Sequence, residues 1–256
     1  MDQRTDAVLA RRLASEAGAL LLHLREMPSW GDADLTERRE EGDRASQRFL
    51  AAELIAACPG DVVLSEEAAD DQRRLAADRV WIIDPLDGTR EFAEGRSDWA
   101  VHVALWRQGE LAAGAVALPG RGVTLFTAEP PPRPAPAPDT VRIAVSRTRA
   151  PAVATRVATR LAAELVPMGS AGYKVAAVVL GEVDAYVHAG GQYEWDSAAP
   201  VAVARAAGLH TSRLDGSALR YNQPEPYLPD LVVCRPELAD ALLAAISEDV
   251  VQGPVR

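Results

Sequence analysis

Val80-Trp81-Ile82-Ile83-Asp84-Pro85-Leu86-Asp87-Gly88-Thr89 is the stretch from which the fold of this chain is read. Residues 80–83 are apolar, β-branched and aromatic, and the run is short, which predicts a buried strand. Two carboxylates therefore fall at a strand end. Pro85 fixes its own φ and holds Asp84 extended, so the chain turns at once and brings Asp87 back beside Asp84. Gly88-Thr89 then opens a short helix, whose free N–H groups suit an anion. Carboxylates able to hold a hard cation thus stand next to an anion cradle. An Asp/Gly turn that merely joins a strand to a helix has the same local composition, so the flanking segments have to decide.

Upstream, Asp61-Val62-Val63-Leu64 predicts a second short strand, and Ser65-Glu66-Glu67 ends it. Alone, Ser-Glu-Glu is a helix start whose acids complement the dipole. Two neighbouring strand ends that both carry acids pool them at one sheet edge. Farther upstream, Leu9, Leu13, Leu20 and Leu24 recur at helical spacing and predict a packing helix over residues 6–25, closed by Pro28 and Gly31. A polar loop is expected over residues 34–41, then a helix over 43–57 with Asp43 as its N-cap and Pro59-Gly60 as its stop.

Downstream, residues 99–106 and 111–118 alternate around a Gln108-Gly109 turn and predict an antiparallel hairpin. His102 lies inside that alternation and reads as structural. A further strand is expected over residues 123–127. The run from Glu129 to Pro138 is too rich in proline for helix or central strand and forms a semi-rigid extended connector. Beyond it, strands and helices alternate: strand 141–145, helix 152–163, strand 165–166, helix 173–180, strand 183–187. Gly190-Gly191 bends the chain toward a helix that ends at Gly208, with Asp196 as its N-cap. An apolar segment 209–214, a turn at Asp215-Gly216 and a helix over 236–246 complete the reading. The expected organisation is an α+β domain over residues 1–128 carrying most of the acids, a connector over 129–139, and an α/β domain over 140–256. No internal repeat is present.

Composition sets the outer limits. With 48% hydrophobic and 25% charged residues in 256, the chain buries a substantial core, and no apolar run is long enough to span a bilayer. The N-terminus has no apolar signal core, so a cytoplasmic location is expected. Cys58 and Cys234, the two cysteines, are expected as buried free thiols. A formal net charge of -10 with no basic block excludes a nucleic-acid polymer as partner, while a small phosphorylated ligand stays compatible because bound cations reverse the local sign.

Three separated segments, Leu64-Ser65-Glu66-Glu67, residues 81–92 from Trp81 to Phe92, and Trp195-Asp196-Ser197-Ala198-Ala199, resemble the signatures of the inositol monophosphatase superfamily of magnesium-dependent, lithium-sensitive phosphatases. The resemblance implies a layered αβαβα sandwich with the site between its halves. It implies two or three magnesium ions held by Glu66, Asp84, Asp87, Asp196 and the backbone carbonyl of Leu86. Magnesium favours oxygen ligands and keeps several waters, so a few carboxylates and the substrate phosphate suffice. Two ions about 4 Å apart clamp the attacking and leaving oxygens of an in-line displacement. Asp43 matches the family acid that works with the Thr89 hydroxyl to activate water, Gly88 and Thr89 N–H groups would hold the phosphate, and Glu67 would orient a neighbour.

The substrate is read from less specific positions. Inositol phosphatases carry a glutamate seven residues before the last aspartate, where this chain has Ala189. Residues 145–149 with Ser146, and Gly169-Ser170-Ala171-Gly172-Tyr173-Lys174, resemble the branch that hydrolyses adenosine 3',5'-bisphosphate, although Arg149 stands where that branch often has histidine. Ser146, Ser170, Lys174 and Asp196 are the expected substrate contacts, with Lys174 on the second phosphate and Tyr173, Tyr193 or Trp195 against adenine. The expected activity is removal of the 3'-phosphate from that nucleotide, its sulfated precursor included, by a homodimer serving sulfate assimilation. An inositol or fructose bisphosphate phosphatase is the alternative, and a non-catalytic nucleotide-binding protein the remote one.

Overall fold

The computed structural model of the protein describes residues 2–135 and 139–252. Its first half contains α1 (Gln3–Glu26), α2 (Pro28–Asp32), α3 (Leu35–Ala57), β1 (Val62–Ser65), β2 (Arg79–Asp87), α4 (Thr89–Ala93), β3 (Ala100–Arg107), β4 (Glu110–Leu118) and β5 (Val123–Phe126). Its second half contains β6 (Arg142–Ser146), α5 (Ala152–Leu161), β7 (Glu164–Met168), α6 (Ala171–Val179), β8 (Ala185–Ala189), α7 (Glu194–Ala206), β9 (His210–Ser212), β10 (Asp230–Cys234) and α8 (Ala239–Gln252). Two five-stranded sheets result, ordered β1-β2-β3-β4-β5 and β7-β6-β8-β10-β9. All five strands of the first precede the proline-rich run and all five of the second follow it. Residues 130–135 of that run have no regular structure, and 136–138 lie outside the described residues, as do Met1 and 253–256.

The layers follow from alternation along the strands. Trp81 and Ile83 of β2, with Val101, Val103 and Leu105 of β3, pack against Leu13, Ala17 and Leu21 of α1 and Leu50 and Leu54 of α3. Alanines at positions 7, 10, 14 and 17 let α1 lie close on the sheet. Val80 and Ile82 face the other way, into a core shared with Val175 and Val178 of α6, Ala198 and Val201 of α7, and Tyr186, Leu231 and Val233 of the second sheet. That sheet's far face, with Ile143, Val187 and Val232, is covered by α5 and α8 through Val157 and Leu242. The order is helix, sheet, helix, sheet, helix: the αβαβα sandwich. Each fully buried leucine or valine contributes about 1.5–3 kcal/mol, so the middle layer, which draws on both sheets, couples the halves.

Several elements differ from the sequence reading. The expected loop over 34–41 is the opening of α3, because Asp34 and Glu37 form a capping box: Asp34 Oδ1 accepts from Thr36 N and Glu37 N, and Glu37 Oε2 accepts from Asp34 N. Asp43 is consequently a mid-helix residue and not an N-cap. β10 had no counterpart in the reading. It pairs antiparallel with both β8 and β9 and is buried from Leu231 to Cys234. α7 begins at Glu194, which makes Asp196 its third residue; the Asp196 carboxylate accepts from Tyr193 N at 2.7 Å. α8 continues to Gln252, past the expected end at 246. Cys58 and Cys234 are free and buried. Among the described residues no helix is long and apolar enough to cross a membrane.

Candidate active site

Asp84 and Asp87 are three positions apart, so a regular strand would point them to opposite faces of the sheet. β2 avoids this with a bulge: Asp84 pairs with His102 and Asp87 with Ala100, three steps on one strand against two on the other. Pro85, which has no N–H to give a ladder, sits inside the bulge, and its carbonyl accepts from Ser46 Oγ of α3 at 2.7 Å. Leu86 turns into the core beneath α3 while both carboxylates turn toward α6 and α7. Asp84 is 1% exposed, and its Oδ1 accepts from Leu86 N at 3.1 Å.

Asp87 joins the two halves. Its carboxylate accepts from Ser170 Oγ at 2.5 Å, Ala171 N at 3.1 Å and Gly172 N at 2.6 Å, so it caps α6 from across the interface. Gly88 follows with φ +89°, a left-handed conformation natural to glycine, and a Cβ there would lie 3.1 Å from that of Ser170. α4 is a single turn. At its start the Thr89 hydroxyl stands 3.0 Å from the Leu86 carbonyl and 3.2 Å from Asp43 Oδ1, with one proton to donate between them. Asp43 reaches the site because α3 passes over this end of β2.

The electrostatics are those of an acid cluster short of positive charge. Burial, reinforced by Glu67 and Glu66, raises Asp43 to about 7 against the Thr89 hydrogen bond. Partial withdrawal from water and the charges of Asp87 and Glu67 raise Glu66, on the turn after β1, to about 7. Burial and the charge of Asp87 raise Asp196 to about 8, and burial with Glu66 and Asp87 beside it lifts Asp84 well above the usual carboxylate range. Neutral carboxyls or a bound cation would relieve this crowding. The donors are oxygens, which is the set a hard divalent ion takes. Asp84 and Asp87 bring ligand oxygens within 4.8 Å of one another, Glu66 and Asp196 stand near enough to feel both charges, and this all-oxygen set fits a metal; the Leu86 carbonyl beside them has a second lone pair free of Thr89.

The expected substrate contacts are placed less uniformly. Ser170 has φ +51°, caps α6 through its Oγ and touches Asp87. Lys174 is 5% exposed, and its ammonium donates to the carbonyls of Gly169 at 3.2 Å and Ser170 at 2.5 Å. Burial pulls its pKa down against the nearby Asp87 and Glu91. Ser146 ends β6, where its hydroxyl accepts from Arg149 N at 3.3 Å, and it makes no bond to the acid cluster. Tyr173 sits under the guanidinium of Arg121, 5.9 Å from its ring centre, beside Asp98 and Pro167. Tyr193 and Trp195 are stacked 4.8 Å apart and 7° from parallel, Tyr227 meets Tyr193 edge-on, and Tyr193 is 40% exposed directly beside Asp196.

One residue of the site was not identified as such from sequence. His102, fully buried, has Nδ1 3.1 Å from the Trp195 carbonyl and Nε2 3.3 Å from Asp87 Oδ2, and one ligand atom each from Asp84, Asp87 and His102 falls within 4.8 Å of the others. Its facing of Asp84 follows from strand pairing, which only a correct β2–β3 register would have disclosed.

Comparison with known proteins identifies the family. Residues 2–252 match the Inositol monophosphatase family. The chain is 52% identical over 257 residues to the 3'-phosphoadenosine 5'-phosphate phosphatase of Mycobacterium leprae, covering 95% of this chain and 94% of that one. It is 56% identical over 242 residues to the protein of the same name from Mycobacterium tuberculosis, covering 91% and 90%. The crystal structure of CysQ from Bacteroides thetaiotaomicron superposes with a TM-score of 0.79 at 27% identity, over 91% of this chain and 97% of that one. With the sandwich, the bulged Asp84–Asp87 pair and the family match in agreement, the chain belongs to the inositol monophosphatase family.

Proposed function

We propose that the protein is a magnesium-dependent phosphatase that removes the 3'-phosphate of adenosine 3',5'-bisphosphate, leaving AMP. The observation that carries the phosphatase reading is the Asp84–Asp87 pair, with Asp196 near enough to share their charge, beside the Thr89–Asp43 hydroxyl–carboxylate pair. The nucleotide is assigned from the similarity to the two mycobacterial 3'-phosphoadenosine 5'-phosphate phosphatases. Magnesium, when bound, neutralises the phosphoryl oxygens and steadies the leaving oxygen.

The chain's own groups do the rest. Thr89 Oγ1 accepts a hydrogen from the attacking water while passing its own proton toward Asp43 Oδ1, 3.2 Å away. Asp43, raised to about 7 by burial, is a suitable proton acceptor near neutral pH. The N–H groups of Gly88 and Thr89 hold the phosphate at the turn that the left-handed Gly88 creates. The exposed face of Tyr193, stacked on Trp195, offers adenine a flat apolar surface next to Asp196. Ser146 and Ser170 line the nucleotide's path between the halves, and Lys174 acts from beneath Ser170, lending positive charge through the loop its ammonium holds.

The same site takes the sulfated precursor, the protein works as a cytoplasmic homodimer in sulfate assimilation, and two or three ions complete the centre. A kinetic panel of adenosine 3',5'-bisphosphate, its sulfated precursor, inositol 1-phosphate and fructose 1,6-bisphosphate tests the assignment. The nucleotides are expected to give the highest kcat/KM. An inositol ester turned over faster would refute the substrate assignment and leave the metal chemistry standing.

A further inference from the structure

His102 occupies the point where the three elements that build the site meet. It pairs with Asp84 in the β2–β3 register and is completely buried. Its Nδ1–H donates to the carbonyl of Trp195, the residue before Asp196, at 3.1 Å. Its Nε2 faces Asp87 Oδ2 at 3.3 Å and has no other partner. α6 closes the third side: a Cβ on Gly172 would fall 1.8 Å from Nε2, so a side chain at 172 is incompatible with the ring, and Gly172 N itself donates to the same Asp87 oxygen.

The ring therefore touches β2, which supplies Asp84 and Asp87, and α7, which supplies Asp196. α7 enters the site through the Asp196 carboxylate, which accepts from Tyr193 N at 2.7 Å, and its Ala198 and Val201 share a core with Val80 and Ile82 of β2. Although a ligand atom of His102 lies within 4.8 Å of those of Asp84 and Asp87, its Nδ1 is committed to a carbonyl and a hard cation favours oxygen, so the ring is assigned to holding the carboxylates and not to ligation.

We propose that His102 is a positioning residue that fixes the separation between Asp196 and the Asp84–Asp87 pair, through the Trp195 carbonyl, and so sets the affinity of the centre for its cation. This rests on the metal reading above. Outer-shell partners of metal ligands characteristically govern 10–100-fold in metal affinity. The link is rigid because every atom of the ring is buried, and it crosses from the first half of the chain to the second.

The test measures metal binding directly on the full chain stripped by chelation, with Mn2+ followed by electron paramagnetic resonance, alongside the metal activation constant and substrate KM. His102→Leu fills the volume without a donor, whereas His102→Asn places an amide N–H at the Nδ1 position. His102→Leu is expected to weaken Mn2+ binding roughly 10–100-fold and to raise the activation constant in parallel, with KM at saturating metal unchanged. His102→Asn is expected to bind as the wild type does. A folded His102→Leu that binds Mn2+ as tightly as the wild type overturns the proposal, as does a His102→Asn that loses as much as His102→Leu. Should the leucine variant fail to fold, His102→Gln, whose amide reaches toward Nε2 instead, is compared with His102→Asn, and equal affinities overturn it. A wild-type chain that binds no Mn2+ overturns the metal reading itself, a result distinct from variants that bind unchanged.

Discussion

Replacing Asp84 by asparagine is expected to make the metal-free protein more stable while abolishing its response to magnesium. Asp84 and Asp87 present ligand atoms within 4.8 Å of one another. Two charges at that distance repel by about 3 kcal/mol at an effective dielectric constant of roughly 20. Asparagine keeps the shape and an oxygen that accepts from Leu86 N, the bond now made at 3.1 Å, so the bulge is retained. Asp84 is raised by burial and then by its acidic neighbours, which means that ionising it costs the folded state. The sign follows: the penalty is absent below the ordinary carboxylate pKa and grows as pH rises through the elevated folded value. The gain from asparagine should therefore be negligible at or below the ordinary carboxylate range and grow as pH rises above it. At about 2–4 °C per kcal/mol for a chain of this size, thermal unfolding in chelator at a pH well above that range should show Tm raised by roughly 5–10 °C. Magnesium at a hundred times its Kd adds about 2.7 kcal/mol to the wild type by mass action and should add nothing to the variant. A chelated variant that melts below the wild type at that pH, or one that magnesium stabilises equally, would show the reasoning to be wrong.

Three further outcomes are expected. Thr89→Ala removes the hydroxyl between Leu86 and Asp43 and should lower kcat by about 10²-fold or more with KM little changed, and Thr89→Ser should restore most of it; steady-state kinetics decide. Gly172→Ala drives a methyl against His102 Nε2 and should destabilise the fold by about 1–3 kcal/mol, read from urea unfolding; a neutral result would mean that the ring has room to move. His188 is depressed from 6.5 to about 4, by burial first, so its contribution is present above 6.5 and lost as pH falls through about 4. His188→Phe should flatten that acid arm of the stability profile, and an unchanged profile would remove His188 from the account.

The parts of the structure legible in the sequence were those where local chemistry and tertiary demand coincide. Residues 80–83 form a strand in either context, and the proline and glycine on each side of the acids place the turn. Helix boundaries were less legible where a polar side chain had two local uses. Asp43 and Asp196 both suit an N-cap, but a capping box nine residues earlier started α3, and Tyr193 N took the Asp196 carboxylate from inside α7. β10 was missed although Leu231-Val232-Val233 is a short apolar run, because its pairing with β8 is set by the sheet and not by a neighbouring turn. His102 shows a different limit. Its partners, Asp84, Asp87 and Trp195, are 15 to 93 positions away in sequence, and alternation alone says only that it is buried.

The bulge in β2 also constrains how this stretch can change over time. Its single extra residue turns Asp87 to the same side of the sheet as Asp84, so function depends on the number of residues between them more than on which residues they are. Loss of one codon between Asp84 and Asp87 leaves the downstream reading frame intact and a two-residue spacing that a regular strand would still show on one face, but it removes the bulge that turns Leu86 into the core and sets its carbonyl beside the acids. Substitutions at position 85 that preserve the count leave both acids where they are. Length, rather than composition, is the heritable property that this turn protects.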